Sequence, residues 1–220
     1  MVSGFLCILC LVLSTYLTVN KEEDLKNLYR KMDATSKTRF HASRRLKLHA
    51  TCSTYSVVII SLGLILIALM QAYTLGKNIN SNLVGLMQVF SSVAVLVYSL
   101  LIDKNNYSNL SEKMYSCASE LGELKQKLKP YLAKEIELEK YEEFRKEYYQ
   151  ILKLYETHSS NDFRGDYFRA KLEMPEFYSI RGIDWWAMKF NVFFAYLIDF
   201  ISYPIVLFCL GWMVWWLWFG

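Results

Sequence analysis

Hydrophobic and polar positions are segregated along this chain rather than evenly mixed. Four stretches are nearly pure hydrocarbon: Val2 to Val19, Val57 to Leu75, Leu83 to Ile102 and Phe200 to Phe219. About 20 mostly apolar residues in a helix cross a bilayer with every backbone polar group satisfied inside the segment. The middle two are separated only by "LGKNINSN", too short for a domain, so they are predicted to form a helical hairpin with Lys77 at its tip. Residues 20–56 are amphipathic: Tyr29, Met32, Phe40, Leu46 and Ala50 share one side, while Arg30, Lys37 and Arg44 recur on another. This helix runs into the first hairpin helix.

After Ile102 the periodicity changes. Leu110, Met114, Cys117, Leu121, Leu124 and Leu128 alternate by four and three, a heptad seam. Pro130 breaks or kinks that helix. A second helix is predicted from about Tyr131 to Glu156, with Leu138, Tyr141, Phe144, Tyr148, Ile151 and Tyr155 on one side. "HSSNDFRGDYF" is expected to be a loop. "IDWWAMKFNVFFAYLID", bounded by Asp184 and Asp199, is aromatic enough to lie at a membrane interface ahead of the last span. Pro204 is placed to kink that span, and Trp212, Trp215, Trp216 and Trp218 to belt its outer end. The expected fold is an all-α integral membrane protein: a transmembrane hairpin (57–102), a cytosolic helical region (103–183) and an interfacial helix with a further C-terminal span (184–220). A membrane helix at 1–19 and a basic cytosolic helix at 20–56 precede them.

Composition agrees, since 54% of the 220 residues are hydrophobic and 16% aromatic. The net charge of +4 matters through its placement. Lys37, Arg39, Arg44, Arg45 and Lys47 lie directly before the hairpin without an intervening acid. Cations near spans stay on the cytoplasmic side, so this flank and residues 103–183 are expected to be cytoplasmic. Four spans with both termini outside then satisfy the chain. The block is foremost a topology anchor, able to meet anionic headgroups at about 1 kcal/mol per cation. Direct nucleic-acid binding is disfavoured, because the block abuts a span and carries no reader motif. Residues 1–19 lack the basic start and small-residue cleavage site of a signal peptide, and nine Lys/Arg against four acids between Lys21 and Lys47 oppose export. A signal peptide and a start-site extension remain the alternatives there.

No carboxylate occurs between Asp33 and Asp103, which removes paired-acid chemistry and proton relays from the hairpin. Its polar groups are uncharged. Gly85, Gln88, Ser92 and Ser99 share a face of the second helix; Ser61, Ala68 and Ala72 form a small-residue stripe on the first, with Gln71 beside it. Either these residues pack helices within or between protomers, or Gln88 and Ser92, with Gln71, line a water-filled path in a ring of copies. No enzyme site assembles. His41, His49 and His158 stand outside any metal motif, no phosphate loop or nucleophile elbow is present, and Asp162 and Asp166 are expected to be solvated loop acids. The five cysteines sit in apolar or helical segments and are expected to act as small packing or lipid-facing residues. No catalytic residue, cofactor or metal is expected.

"YRKMDATSKTRFHASRRLKLHATCSTYSVVIISLGLILIAL", the short-tipped hairpin and "NYSNLSEKMYSCASELGELKQKLK" together resemble the SLATT family, the SMODS- and SLOG-associating two-transmembrane effectors of bacterial conflict systems. The matching elements are Arg39-x-x-Ala42-x-Arg44-Arg45-Leu46, the hairpin and the helix from Tyr107, over about residues 25–130. The Phe200 span is similar to the extra segment of a subfamily that accompanies reverse transcriptases. The resemblance implies an oligomeric, pore-forming effector of antiphage defence in the bacterial inner membrane. A linked reverse transcriptase or nucleotide-signal synthase would trigger it. A non-conducting anchor for a cytosolic defence enzyme is the alternative.

Overall fold

The apolar runs close into long helices because hydrogen bonding within a helix satisfies the backbone where side chains cannot. The computed structural model describes residues 2–78, 82–133, 137–155, 164–178, 180 and 182–219; the side chains of 2–22, 133 and 164 lie outside that description. The expected membrane helix at 1–19 therefore lies outside the described side chains. Among the described residues the elements are seven α-helices and one short 3-10 segment, with no strand: α1 (Val2–Ala72), α2 (Asn82–Asn105), α3 (Tyr107–Leu128), a 3-10 turn (Lys129–Ala133), α4 (Leu138–Leu154), α5 (Arg164–Leu172), α6 (Ile183–Phe200) and α7 (Ser202–Phe219).

The hairpin helix ends three residues earlier than its apolar run. Leu75 N–H donates to Met70 O at 2.9 Å and Thr74 N–H to Gln71 O at 3.2 Å. That pair of bonds is the Schellman arrangement, and Thr74 supplies its left-handed residue at φ 52°. At the other boundary, Asn106 takes φ 44° between α2 and α3, a conformation Asn tolerates because its short polar side chain bonds locally. Pro130 converts the end of α3 into the 3-10 turn, as its missing N–H requires.

Two compact units divide the chain: Met1–Ser43 with Glu112–Val192, and Arg44–Ser111 with Phe193–Gly220. In the first, the heptad seam is the core. Cys117, Leu121, Leu124 and Leu128 of α3 are buried with Leu25, Leu28 and Met32 of α1 and Phe144 and Tyr148 of α4. Polar bonds fix the helix register around it. Ser36 Oγ donates to Ala118 O at 2.8 Å, Tyr155 Oη to Glu120 Oε1 at 2.6 Å, and Thr35 Oγ1 lies 3.1 Å from Tyr148 Oη. Asp33, nearly buried, is paired with Lys125 at 2.8 Å and Lys37 at 3.3 Å. Burial pushes the Cys117 thiol up, consistent with a packing role.

Three expectations are corrected here. The second helix begins at Leu138, not Tyr131, and Leu138, its first residue, is exposed, while Tyr141, Phe144, Tyr148, Ile151 and Tyr155 pack on the core along the expected side. Arg164 to Phe168 are helical rather than loop, and Asp166 is 1% exposed rather than solvated. The helix is held by tertiary contact, since Ala170 and Met174 are buried alongside it. Pro204 lies in the first turn of α7, where its N–H is not needed, so it starts the span instead of kinking it.

Candidate functional site

The second unit contains the parts of α1, α2 and α7 that a bilayer would surround. Glu23–Ala72, Asn82–Leu132 and Ser202–Phe219 each contain a window long and apolar enough to cross one; in α1 the apolar part is 57–72. α2 runs opposite to α1 and α7. At the hairpin tip, Ile67 and Met70 of α1, Val84 of α2 and Leu217 of α7 form a dry plug. Asn78 Nδ2 donates to Trp216 O at 3.4 Å, and Lys77 Nζ reaches Phe219 O at 3.5 Å, where the last carbonyls of α7 favour a cation. Gly76 takes φ 110°, and a Cβ there would lie 2.5 Å from Leu217 O. Only glycine fits this turn.

An aromatic clasp closes the opposite end. His49 is buried on α1, stacked on Phe200 at 4.1 Å and on Tyr107 at 5.6 Å, and hydrogen-bonded through Nδ1 to Tyr203 Oη at 3.1 Å. One helical turn earlier, Arg45 Nη1 donates to Asp199 Oδ2 at 3.0 Å. Between clasp and plug, α1 and α7 pack closely through Gly63, where a Cβ would meet Leu210 Cδ2 at 2.8 Å. α2 instead stands away from them, leaving an apolar crevice of ≈ 680 Å³.

The polar residues of the hairpin fall at the margins of this packing. Gly85, Gln88 and Ser99 are half-buried and Ser92 is exposed; a Cβ added at Gly85 would meet nothing within 4 Å. The Ser92 hydroxyl donates to Gln88 O and the Ser99 hydroxyl to Val95 O, both at 2.8 Å. Gln71 is half-buried near the end of α1, and Ala68 and Ala72 are exposed. Within one chain, close approach is made by Gly63 rather than by the stripe through Ala68 and Ala72.

The basic block divides. Arg45 pairs with Asp199, Lys37 pairs with Asp33 and Arg39 Nη1 lies 3.1 Å from Met114 Sδ; by burial, Arg44 and Lys47 are the more exposed members. Sequence reasoning placed Asp199 at a span boundary but did not find its partner. The available signal was that no other acid follows Asp184, and a lone carboxylate beside a span calls for a cation.

The first unit holds a second polar cluster. His41 Nε2 lies 3.0 Å from Glu173 Oε2, just after α5; Lys37 Nζ donates to Glu173 O, and Arg169 approaches the same carboxylate at 3.9 Å. A carboxylate only accepts, so the proton of neutral His41 sits on Nε2. Burial holds the His41 pKa below its usual value against the opposing pull of Glu173. Among the described residues no group of three His, Cys, Asp or Glu side chains is arranged to hold a metal.

No curated protein and no solved structure matches the chain. A family model does, and it extends from the amphipathic part of α1 through the hairpin and the first unit to the last turn of α7. Over residues 21–217 the match is to SMODS and SLOG-associating 2TM effector domain family 5, and the chain belongs to that SLATT family.

Proposed function

We propose that this chain is an oligomeric effector of a bacterial antiphage system that breaches the inner membrane by forming a pore when a partner signals infection. The effector-domain membership supports the membrane role. The observation that carries the pore reading is the face of α2 bearing Gly85, Gln88, Ser92 and Ser99. It is uncharged and weakly polar, and neither α1 nor α7 covers Ser92. A single hairpin encloses no lumen, so several copies would present these faces to one axis. The first unit, with its buried seam and exposed tyrosines, would receive the signal from a linked reverse transcriptase or nucleotide-signal synthase. The chain would act without a catalytic site of its own.

Membrane potential and dye entry in expressing bacteria, measured before growth stops and with the neighbouring genes present, test this. Gln88→Leu and Ser92→Leu are expected to abolish depolarisation while leaving the amount of inserted protein unchanged. Full depolarisation in both variants would remove this face from the pore.

A non-conducting anchor is the second reading, and one observation favours it. The hydroxyls of Ser92 and Ser99 already donate to their own helix, so they need no water-filled path. Growth arrest with an intact potential would leave the anchor.

A further inference from the structure

His49 is the point at which several helices of the second unit meet. Its ring, 9% exposed, stacks on Phe200 at 4.1 Å and 14° and on Tyr107 at 5.6 Å and 26°, and Tyr196 stacks in turn on Phe200 at 5.9 Å. Nδ1 lies 3.1 Å from Tyr203 Oη, and the Tyr203 hydroxyl is also hydrogen-bonded to that of Tyr98. One imidazole thus joins α1 to the α2–α3 boundary and to the first turn of α7.

The groups around the ring decide what a proton would do there. On α1, Arg45 lies one turn earlier, and Cys52 lies near Tyr98 and Tyr203. The α2–α3 boundary contributes the phenols of Tyr98 and Tyr107; α6 and α7 contribute Asp199 and Tyr203. Asp199 is the one carboxylate in this set, and its Oδ2 already accepts from Arg45 Nη1 at 3.0 Å. An imidazolium here would share its only acid with a guanidinium, stand beside that guanidinium and give up nearly all of its water. Stacking on Phe200 returns part of that loss as a cation–π contact. Burial is the largest influence and, with Arg45, holds the His49 pKa below its ordinary value against the pull of Asp199. A group that binds a proton less readily when packed than when released favours release as the pH falls.

We infer that the clasp is a proton-sensitive latch: neutral His49 fastens the start of α7 to α1 and the α2–α3 boundary, and protonation of His49 loosens it. The latch belongs to the packing of the second unit and holds whether or not the chain conducts. Its contribution is complete above the unfolded value of 6.5 and is lost as the pH drops through the lower folded value.

Two measurements on the full chain in detergent micelles test it. The first follows the imidazole Cε1 resonance in a chain carrying His41→Gln and His158→Gln, whose remaining histidine is His49. Its titration midpoint is expected below 6.5, and a midpoint at or above 6.5 would overturn the inference. The second is a dodecyl sulfate titration at about pH 8 and about pH 5, read by the tryptophans of α6 and α7. Acidification is expected to shift the wild-type midpoint to lower dodecyl sulfate by more than it shifts that of His49→Phe, which keeps a ring for Phe200 and cannot titrate. Equal shifts in the two chains would sink the latch, because every other acid-sensitive group is common to both. If His49→Phe fails to insert, the resonance of His49 decides alone.

Discussion

The pair Arg45–Asp199 ties α1 to the segment that leads into α7, and its worth can be worked out. The charged atoms are 3.0 Å apart, with the Arg45 side chain 14% exposed and Asp199 35%. At that distance the attraction is about 1.4 kcal/mol in water and about 5.5 kcal/mol at the effective dielectric of a protein surface. Desolvation of the more buried guanidinium takes back much of the larger figure. Exposed pairs couple by about 0.2–1 kcal/mol; breaking buried ones costs about 3–5 kcal/mol. Partial burial places this pair between them, at a coupling of about 1–2 kcal/mol. Arg45→Ala, Asp199→Ala and the double variant form the cycle. Sodium dodecyl sulfate titration in mixed micelles reads it, because all six tryptophans lie in α6 and α7 and report their release by fluorescence. Arg45→Lys should recover only part of the coupling, since a point charge replaces the planar fork. Additive single effects, with a coupling below about 0.3 kcal/mol, would refute the assignment and return Arg45 to the headgroups.

Other substitutions probe the packing on either side of this pair. Leu121→Ala empties a fully buried seam position and should cost about 2–5 kcal/mol, read by urea unfolding of the helical circular dichroism. Gly76→Ala meets both a left-handed φ and the Leu217 backbone and should cost more than about 2 kcal/mol, whereas Gly63→Ala displaces only the end of the Leu210 side chain and should cost about 1 kcal/mol or less. The same detergent titration ranks the two; equal costs would contradict the tip geometry. The His41 pKa lies below that of the unfolded chain, so the unfolded state binds more protons as pH falls. Its contribution to stability is complete above the unfolded value near 6.5 and is lost as pH drops through the lower folded value. Protease protection of α5 should fade on acidification from about pH 7.5 to 5, and His41→Gln should flatten that dependence.

Local periodicity determined much of this protein without help from the fold. Most of each apolar run, 57–72, 83–102 and 202–219, became helix because hydrocarbon length and backbone hydrogen bonding are properties of the segment itself. The seam through Met114, Cys117, Leu121, Leu124 and Leu128 was legible for a similar reason: the 3.5-residue repeat lines up one stripe whatever it packs against. The candidate polar face of α2 came from the same arithmetic. Partners far along the chain carry no such signature. Nothing local marks Arg45 for a carboxylate 154 residues away, Gly63 for Leu210, or His49 for Phe200 and Tyr203. Helix α5, with a polar sequence and the buried Asp166, also depends on what packs against it. The crevice follows from the distance between α2 and its neighbours, which no single segment encodes. Three-dimensional packing alone decided these features, because close approach and charge pairing depend on which surfaces meet, and a helical pattern specifies only that a surface exists.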